Sequence, residues 1–173
     1  MLMELSKKGY IGILEIVRRE DEETGMLPNI VRMNSVAQVV IVGEMQSIFL
    51  ESLVQTGLGI TFFDFENEEF DVDCVVSDGV NGGFLLTRYL VKNGHKRIGF
   101  VGNYKSTRSI LDRYMGYMKY LIAKEQIYDA KWTLPDRDED GKFIELELPD
   151  DMPDAFVCNC DPVAYRMIDA LEK

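Results

Sequence analysis

The chain has 173 residues, of which 46% are hydrophobic, so it can bury a core and does not belong to the disordered class. Thirty aspartates and glutamates against nineteen lysines and arginines leave a formal charge of −11. That charge opposes close approach to a polyanionic nucleic acid, so we expect no DNA binding by this segment alone.

The cysteines and the apolar runs indicate the cellular compartment. Cys74, Cys158 and Cys160 fit neither an even disulfide framework nor a four-ligand zinc site, because the single histidine, His95, is distant in sequence. We interpret them as reduced thiols of a cytoplasmic protein that holds no metal. No apolar run approaches the roughly 20 residues of a membrane helix, and the N-terminus lacks a signal peptide's apolar region, so no membrane partner is expected.

The first half of the chain alternates between predicted strands and helices. Hydrophobic periodicity predicts strands at residues 11–17, 39–42 and 60–63 and helices at residues 26–34 and 45–56. The second of these strands is a continuous apolar run, which is typical of a strand covered on both faces. The acidic residues 64–73 are interpreted as a solvated connection.

The second half continues the alternation. It predicts a short extended segment at residues 72–76, helices at residues 82–93 and 109–123, a strand at residues 98–101, and a final strand and helix after residue 153. Short apolar strands that alternate with helices favour a parallel, doubly wound sheet, because parallel neighbours require a crossover connection. The predicted fold class is therefore α/β.

An acidic segment at residues 129–152 interrupts this pattern. Its alternating stretch at residues 143–148 follows the turn Asp140-Gly141, which suggests a hairpin. We interpret the segment as a solvated edge element, with a metal or partner site as the alternative. A calcium loop built on Asp136, Asp138 and Asp140 lacks the required downstream glutamate.

Polar side chains follow two of the predicted strands. Asp78 comes after the apolar residues 74–76, and Thr107, Ser109 and Arg113 come after residues 98–101. Ligands of open α/β sheets bind at the carboxyl ends of strands, so these residues are candidates for a binding site.

Three motifs in fixed order carry a family resemblance. D-x-x-x-G-G starts at Asp78, G-H-x-R-I-G-F-x-G starts at Gly94, and S-x-x-x-R-x-x-G-Y starts at Ser109. Together with PDAFVCNCDPVAYRMIDAL at residues 153–171, they resemble the effector-binding core of lactose/galactose-repressor-type transcription regulators. Weaker similarity extends over residues 39–65.

The resemblance implies a periplasmic-binding-protein-like fold of two Rossmann-like lobes, with a small-molecule effector bound between them. Residues 1–94 would form the N-terminal lobe and residues 95–173 part of the C-terminal lobe. The family has a further strand before residue 11, more strands after residue 173 and a DNA-binding headpiece, so we expect a fragment that is incomplete at both ends. It also implies a homodimer.

The resemblance assigns effector contacts to Asp78 and Arg113, and each has a simpler structural interpretation. Asp78 can cap the helix that follows it, and Arg113 can pair with Asp112 or another acid on the surface. Thr107 and Ser109 can cap the next helix and still contact a ligand.

The last candidates, Asn159 and Asp161, depart from the family pattern. The family has asparagine immediately before that aspartate, where this chain has Cys160. Asn159 could substitute from one position earlier, but neighbouring residues of a strand point to opposite faces. The effector is then expected to differ from a simple hexose.

Catalysis and cofactor binding have little support. A Cys-His pair would need His95 beside Cys158 or Cys160, and the glycines near residue 80 form neither a G-x-G-x-x-G nor a Walker loop. A phosphorylation receiver built on Asp64 lacks its acidic pair. We expect no enzyme and no cofactor.

The leading hypothesis is the effector-sensing domain of a cytoplasmic transcription regulator that binds a small polar metabolite, with a sugar as the first candidate. Operator DNA would be bound through a helix-turn-helix headpiece outside these residues. The alternative is a solute-binding protein of a sugar transporter, which has the same kind of cleft.

Overall fold

The computed structural model describes residues 2–173, which separate into two compact units. The first unit extends to Val75, and the second comprises Val76–Lys173. Each contains a three-stranded sheet whose strands are all parallel. The predicted α/β fold class with parallel sheets is confirmed.

The described part of the first unit, residues 2–75, contains four helices and three strands. They are α1 (Leu2–Lys7), α2 (Arg19–Thr24), α3 (Asn29–Arg32), β1 (Gln38–Val42), α4 (Ser47–Val54), β2 (Gly59–Phe63) and β3 (Asp73–Val75). The strand order is β1-β2-β3, with Val39 opposite Ile60 and Phe62 opposite Cys74. The chain order and the spatial order agree, so each strand lies beside the next one along the chain.

The core of this unit lies on one face of its sheet. Ile41 and Phe62 point into it and pack with α4, whereas Val40, Val42 and Phe63 on the opposite face are exposed. The prediction that the strand at residues 39–42 is covered on both faces is therefore wrong for the residues described. Alternate side chains of a strand point to opposite faces, and residues of α3 and α4 pack against only one of them.

The strand predicted at residues 11–17 is absent, which corrects the sequence-based assignment. Residues 10–18 form neither helix nor strand, and Ile11 is 93% exposed. A strand needs a hydrogen-bonded neighbour, and within residues 2–173 the strands β1, β2 and β3 pair only with one another. The predicted helix at residues 26–34 is also shorter, because α3 begins after Pro28.

The second unit has its helices on both faces of the sheet. Its elements are α5 (Gly79–Lys92), β4 (Ile98–Val101), α6 (Arg108–Ala123), a 3-10 turn (Ala130–Trp132), β5 (Thr133–Leu134), β6 (Ala155–Cys158) and α7 (Asp161–Leu171). The strand order is β5-β4-β6, and the central strand β4 is completely buried. The helices α5 and α6 pack on one face and α7 on the other, as in a doubly wound sheet.

Helices α5 and α6 cross with their backbones in contact. A Cβ atom added to Gly83 would overlap the carbonyl group of Arg113, and one added to Gly116 would overlap the carbonyl group of Val80. This close packing explains why α5 belongs to the second compact unit, whose boundary falls after Val75. The lobe boundary after residue 94 stays a prediction.

The acidic segment forms a tight hairpin-like turn without a strand at residues 143–148. The amide of Asp138 donates to the carbonyl oxygen of Lys142 (3.0 Å), and the amide of Ile144 donates to that of Asp136 (3.0 Å). The turn matches the predicted hairpin, but the solvated interpretation is wrong for Asp136 and Leu146, which are buried. No helix within residues 2–173 is long and apolar enough to span a membrane.

Candidate functional site

The carboxyl ends of β4, β5 and β6 lie at one edge of the second unit's sheet. Because the three strands are parallel, the residues that follow them meet there: Asn103 after β4, Asp136 and Arg137 after β5, and Asn159 after β6. We call these four residues the polar edge. They form one hydrogen-bonded network.

Asp136 is the centre of the polar edge and is inaccessible to solvent. Its carboxylate accepts hydrogen bonds from the backbone N–H of Asn103 (2.7 Å) and from Asn159 Nδ2 (3.0 Å). It also accepts from Arg137 Nε and Nη2 (3.0 and 2.7 Å). Burial alone would raise the pKa of Asp136, but the hydrogen bonds from Arg137, Asn103 and Asn159 outweigh it, and the pKa is lowered. The group is thus a buried carboxylate.

Arg137 lies at the border between this network and solvent, with its side chain 17% exposed. Its guanidinium packs over Phe143 (5.0 Å to the ring centroid), and Asn103 Nδ2 donates to its carbonyl oxygen (3.1 Å). The hydrogen bonds to Asp136 raise the pKa of Arg137, which therefore stays charged. Backbone and side chain are both held in place.

Asn159 uses its amide donors inside the protein. Nδ2 donates to the carbonyl oxygen of Val101 (3.1 Å) and to Asp136, and the residue is only 5% exposed. Asn159 therefore braces the ends of β4 and β5, and its role as a ligand stays a prediction. Asp161 is exposed in the first turn of α7, whose N-cap residue, Cys160, makes no side-chain capping bond.

The other four candidates gather at the starts of α5 and α6. Asp78 is the N-cap of α5 and accepts from the Asn81 amide (2.9 Å), so its predicted capping role is confirmed. Thr107 is the N-cap of α6 and accepts from the Ile110 amide (3.4 Å), with its hydroxyl 3.2 Å from that of Ser109. Both helix starts thus carry polar groups near solvent.

Arg113 lies one turn into α6, beside the start of α5. Its Nη1 donates to the Ser109 carbonyl oxygen (3.3 Å), and a Cβ atom on Gly79 would lie 3.5 Å from its Cγ. Asp78 directly precedes Gly79. Asp78 at the start of α5 and Arg113 on α6 therefore lie on two helices that contact each other at this point. Pairing of Arg113 with Asp112 is not among the contacts of this structure, and the effector-binding roles stay predictions.

Sequence reasoning missed Asn103, Asp136 and Arg137. The acidic composition around Asp136 indicated solvent exposure, and β5 is only two residues long, too short for a periodicity signal. One signal was present, since Asp136 closely follows the apolar Trp132 and Leu134, as a strand-end residue would. Within residues 2–173 no three His, Cys, Asp or Glu residues are placed to hold a metal ion, and the three cysteines are free.

Comparison with known families decides what kind of domain carries this edge. The family described as periplasmic binding protein-like domain matches residues 87–173, half of the chain. The chain belongs to this family. The match covers β4, β5, β6 and all four residues of the polar edge.

Individual relatives are transcription regulators. The HTH-type transcriptional repressor PurR of Actinobacillus pleuropneumoniae is 27% identical over 131 residues, which cover 72% of this chain and 38% of the repressor. The transcription regulator CcpA of Lactococcus lactis superposes with a TM-score of 0.74 at 18% identity, over 97% of this chain and 63% of CcpA. These likenesses confirm the resemblance to effector-binding domains of lactose/galactose-repressor-type regulators.

One similar structure contains a sugar. The transcriptional regulator CelR in complex with cellobiose has a TM-score of 0.63 and 22% identity, over 76% of this chain and 41% of CelR. The chain spans about two-fifths of the length of the curated repressors that it matches.

Proposed function

We propose that these residues are the effector-sensing part of a cytoplasmic transcription repressor that is not an enzyme. The observation that carries the proposal is the concentration of fixed donors and acceptors at the carboxyl edge of the second unit's sheet. Asp78, Thr107, Ser109 and Arg113 line the helix starts, and the polar edge and Asp161 follow the strands. Such an edge suits a small polar molecule.

The proposed effector is a polar metabolite, and the first candidate is a sugar. Arg113 offers a planar fork of donors and Asp78 a carboxylate acceptor, a combination that can bind adjacent hydroxyl groups. The complex of the related CelR with cellobiose supports the sugar assignment. The repressor names of the curated relatives support control of DNA binding by the effector.

DNA binding is assigned to a headpiece outside these residues, in a protein that acts as a homodimer. The formal charge of −11 disfavours phosphate contacts by this chain. Effector binding would favour one conformation of the regulator over another and so change its affinity for the operator.

The binding assignment is tested by calorimetry on the full-length protein with a sugar panel that includes cellobiose. Arg113→Ala should weaken binding of the sugar that binds best by at least about tenfold, since bonds to charged groups are worth about 1.5–3 kcal/mol. The matched control is Arg88→Ala, which removes the same charge from an exposed position of α5. Unchanged affinity in Arg113→Ala would refute the role of Arg113.

A solute-binding protein of a sugar transporter is the second candidate, because the matching family is described as periplasmic binding protein-like. The two candidates differ in one measurable property. A full-length protein that binds operator DNA with sequence specificity, and releases or tightens it when sugar is added, is a regulator. Sugar binding without any DNA binding would favour the transporter component.

A further inference from the structure

Arg137 has more hydrogen-bonding capacity than the polar edge uses. Its guanidinium has five N–H donors, and the bonds from Nε and Nη2 both reach a single oxygen, Oδ2 of Asp136. The side of the guanidinium that carries Nη1 is therefore turned away from the carboxylate. One flat face packs on Phe143.

The nearby thiol of Cys160, the N-cap residue of α7, has only a minor influence on Arg137. It raises the pKa of Arg137 less than Asp136 does. A thiol is a poor hydrogen-bond acceptor compared with a carboxylate or phosphate oxygen, so an anionic oxygen would be a much stronger partner for Arg137. Cys160 is partly buried, and part of the Arg137 side chain is itself exposed to solvent.

The cation of Arg137 is held at several points. The carbonyl of Arg137 accepts from Asn103 Nδ2 (3.1 Å), its side chain is held by Asp136 and Phe143, and 83% of the side chain is shielded. A held and largely desolvated guanidinium loses little conformational freedom on binding and forms stronger charge-assisted bonds than one in water.

We propose that the effector carries a carboxylate or phosphate group and that Arg137 binds it through the Nη1 side of its guanidinium, which the bonds to Asp136 leave unused. The inference rests on the proposed sensing function and adds the chemical class of the effector. Arg137 is then the residue that separates an acidic metabolite, such as a sugar phosphate or a sugar acid, from its neutral counterpart. Asp136 acts as the positioning residue that holds the guanidinium.

The test is calorimetry on the full-length protein with matched probes. The first set is glucose, glucose 6-phosphate and glucuronate, and the second is ribose and ribose 5-phosphate, with inorganic phosphate as the anion alone. We expect a charged member to bind at least about tenfold more tightly than its neutral counterpart. Comparison of the sugar phosphates with glucuronate shows whether the anionic group of the effector is a phosphate or a carboxylate.

Variants of Arg137 test whether this residue causes the tighter binding of the charged probes. Arg137→Gln should abolish the advantage of the charged probe over its neutral counterpart, because the charge-assisted bond to the anion is lost. If this variant leaves Asp136 buried without its cation and fails to fold, the double variant Asp136→Asn/Arg137→Gln removes both charges and is measured instead. The control is Arg88→Gln, which has the same charge change on exposed α5.

The outcomes separate this inference from the proposed function. Neutral sugars that bind as tightly as their acidic partners, with loss in Arg113→Ala but not in Arg137→Gln, would overturn the anionic effector and leave the sensing function standing. A charged preference that persists in both Arg137 variants would also overturn it. No binding by any probe, neutral or charged, would count against the sensing function and this inference together.

Discussion

At the residue scale, the buried carboxylate of Asp136 differs most from what its sequence neighbourhood suggests. Asp138, Glu139 and Asp140 next to it are exposed, as an acidic run predicts, but Asp136 accepts four hydrogen bonds out of contact with solvent. Removing its charge leaves the Arg137 cation without its partner in a largely shielded position. The stability of the second unit should therefore depend on this one carboxylate.

We predict that Asp136→Asn lowers the free energy of unfolding by about 3 kcal/mol at neutral pH, the scale of a broken buried ion pair. The pKa of Asp136 is lowered in the folded state, so its contribution is present above its ordinary pKa of about 3.9 and is lost as the pH falls through the folded value. Urea unfolding from pH 7 to pH 3 should show the difference between wild type and variant shrinking below about pH 4.

The control for this prediction is Glu139→Gln, which removes an exposed charge three residues along the same turn. We expect it to change stability by less than about 0.5 kcal/mol at any of these pH values. Equal effects of the two substitutions, or a difference for Asp136→Asn that does not depend on pH, would show that the buried network is not what stabilises this edge.

At the element scale, the crossing of α5 and α6 determines where Asp78 and Arg113 lie. Gly83 and Gly116 allow the two backbones to touch, and Gly79 extends the contact to Asp112 and Arg113. Any side chain larger than hydrogen at these glycines must separate the helices. The separation would shift the helix starts that carry the candidate ligands.

We predict that Gly116→Ala destabilises the protein by about 3 kcal/mol, because the new Cβ would overlap the carbonyl group of Val80. That group belongs to the backbone of α5, so it cannot move aside without displacing the helix. Gly82→Ala is the matched control, since a Cβ there meets no atom within 4 Å and its φ is not positive. Alanine is the better helix former, so Gly82→Ala should stabilise by up to about 1 kcal/mol. Urea denaturation measures both, and similar effects at the two glycines would contradict the close crossing.

At the scale of the whole molecule, the formal charge of the chain bears on DNA binding. The formal charge of −11 makes non-specific contact with a polyanion unfavourable. For the regulator proposed above, we therefore expect DNA to bind through another, more basic part of the protein.

We predict that residues 1–173 alone give no shift of operator DNA in a mobility-shift assay at 50–200 mM salt, whereas the full-length regulator does. The salt range matters because phosphate contacts weaken steeply as salt rises. Sequence-specific, salt-sensitive binding by residues 1–173 alone would overturn this division between sensing and DNA binding.

The sequence by itself determined the features that depend on neighbours along the chain. The helices α5 and α6, the strand β4 and the caps at Asp78 and Thr107 follow from local periodicity and from polar residues at helix starts. The three spaced motifs also indicated the family, because each of them lies at a helix start or beside a strand and they follow one another in the family's order.

Only the tertiary structure decided what depends on distant partners. Residues 11–17 have the composition of a strand but lack a neighbour to pair with among β1, β2 and β3, and sequence alone cannot supply that pairing. From the sequence, Asp136 is predicted to be a solvated acid. In the structure, the ends of β4 and β6 place Asn103 and Asn159, which are 33 and 23 residues away in sequence, beside its carboxylate. Burial and hydrogen bonding are properties of the assembled sheet, so the polar edge could be recognised only once its three strands lay side by side.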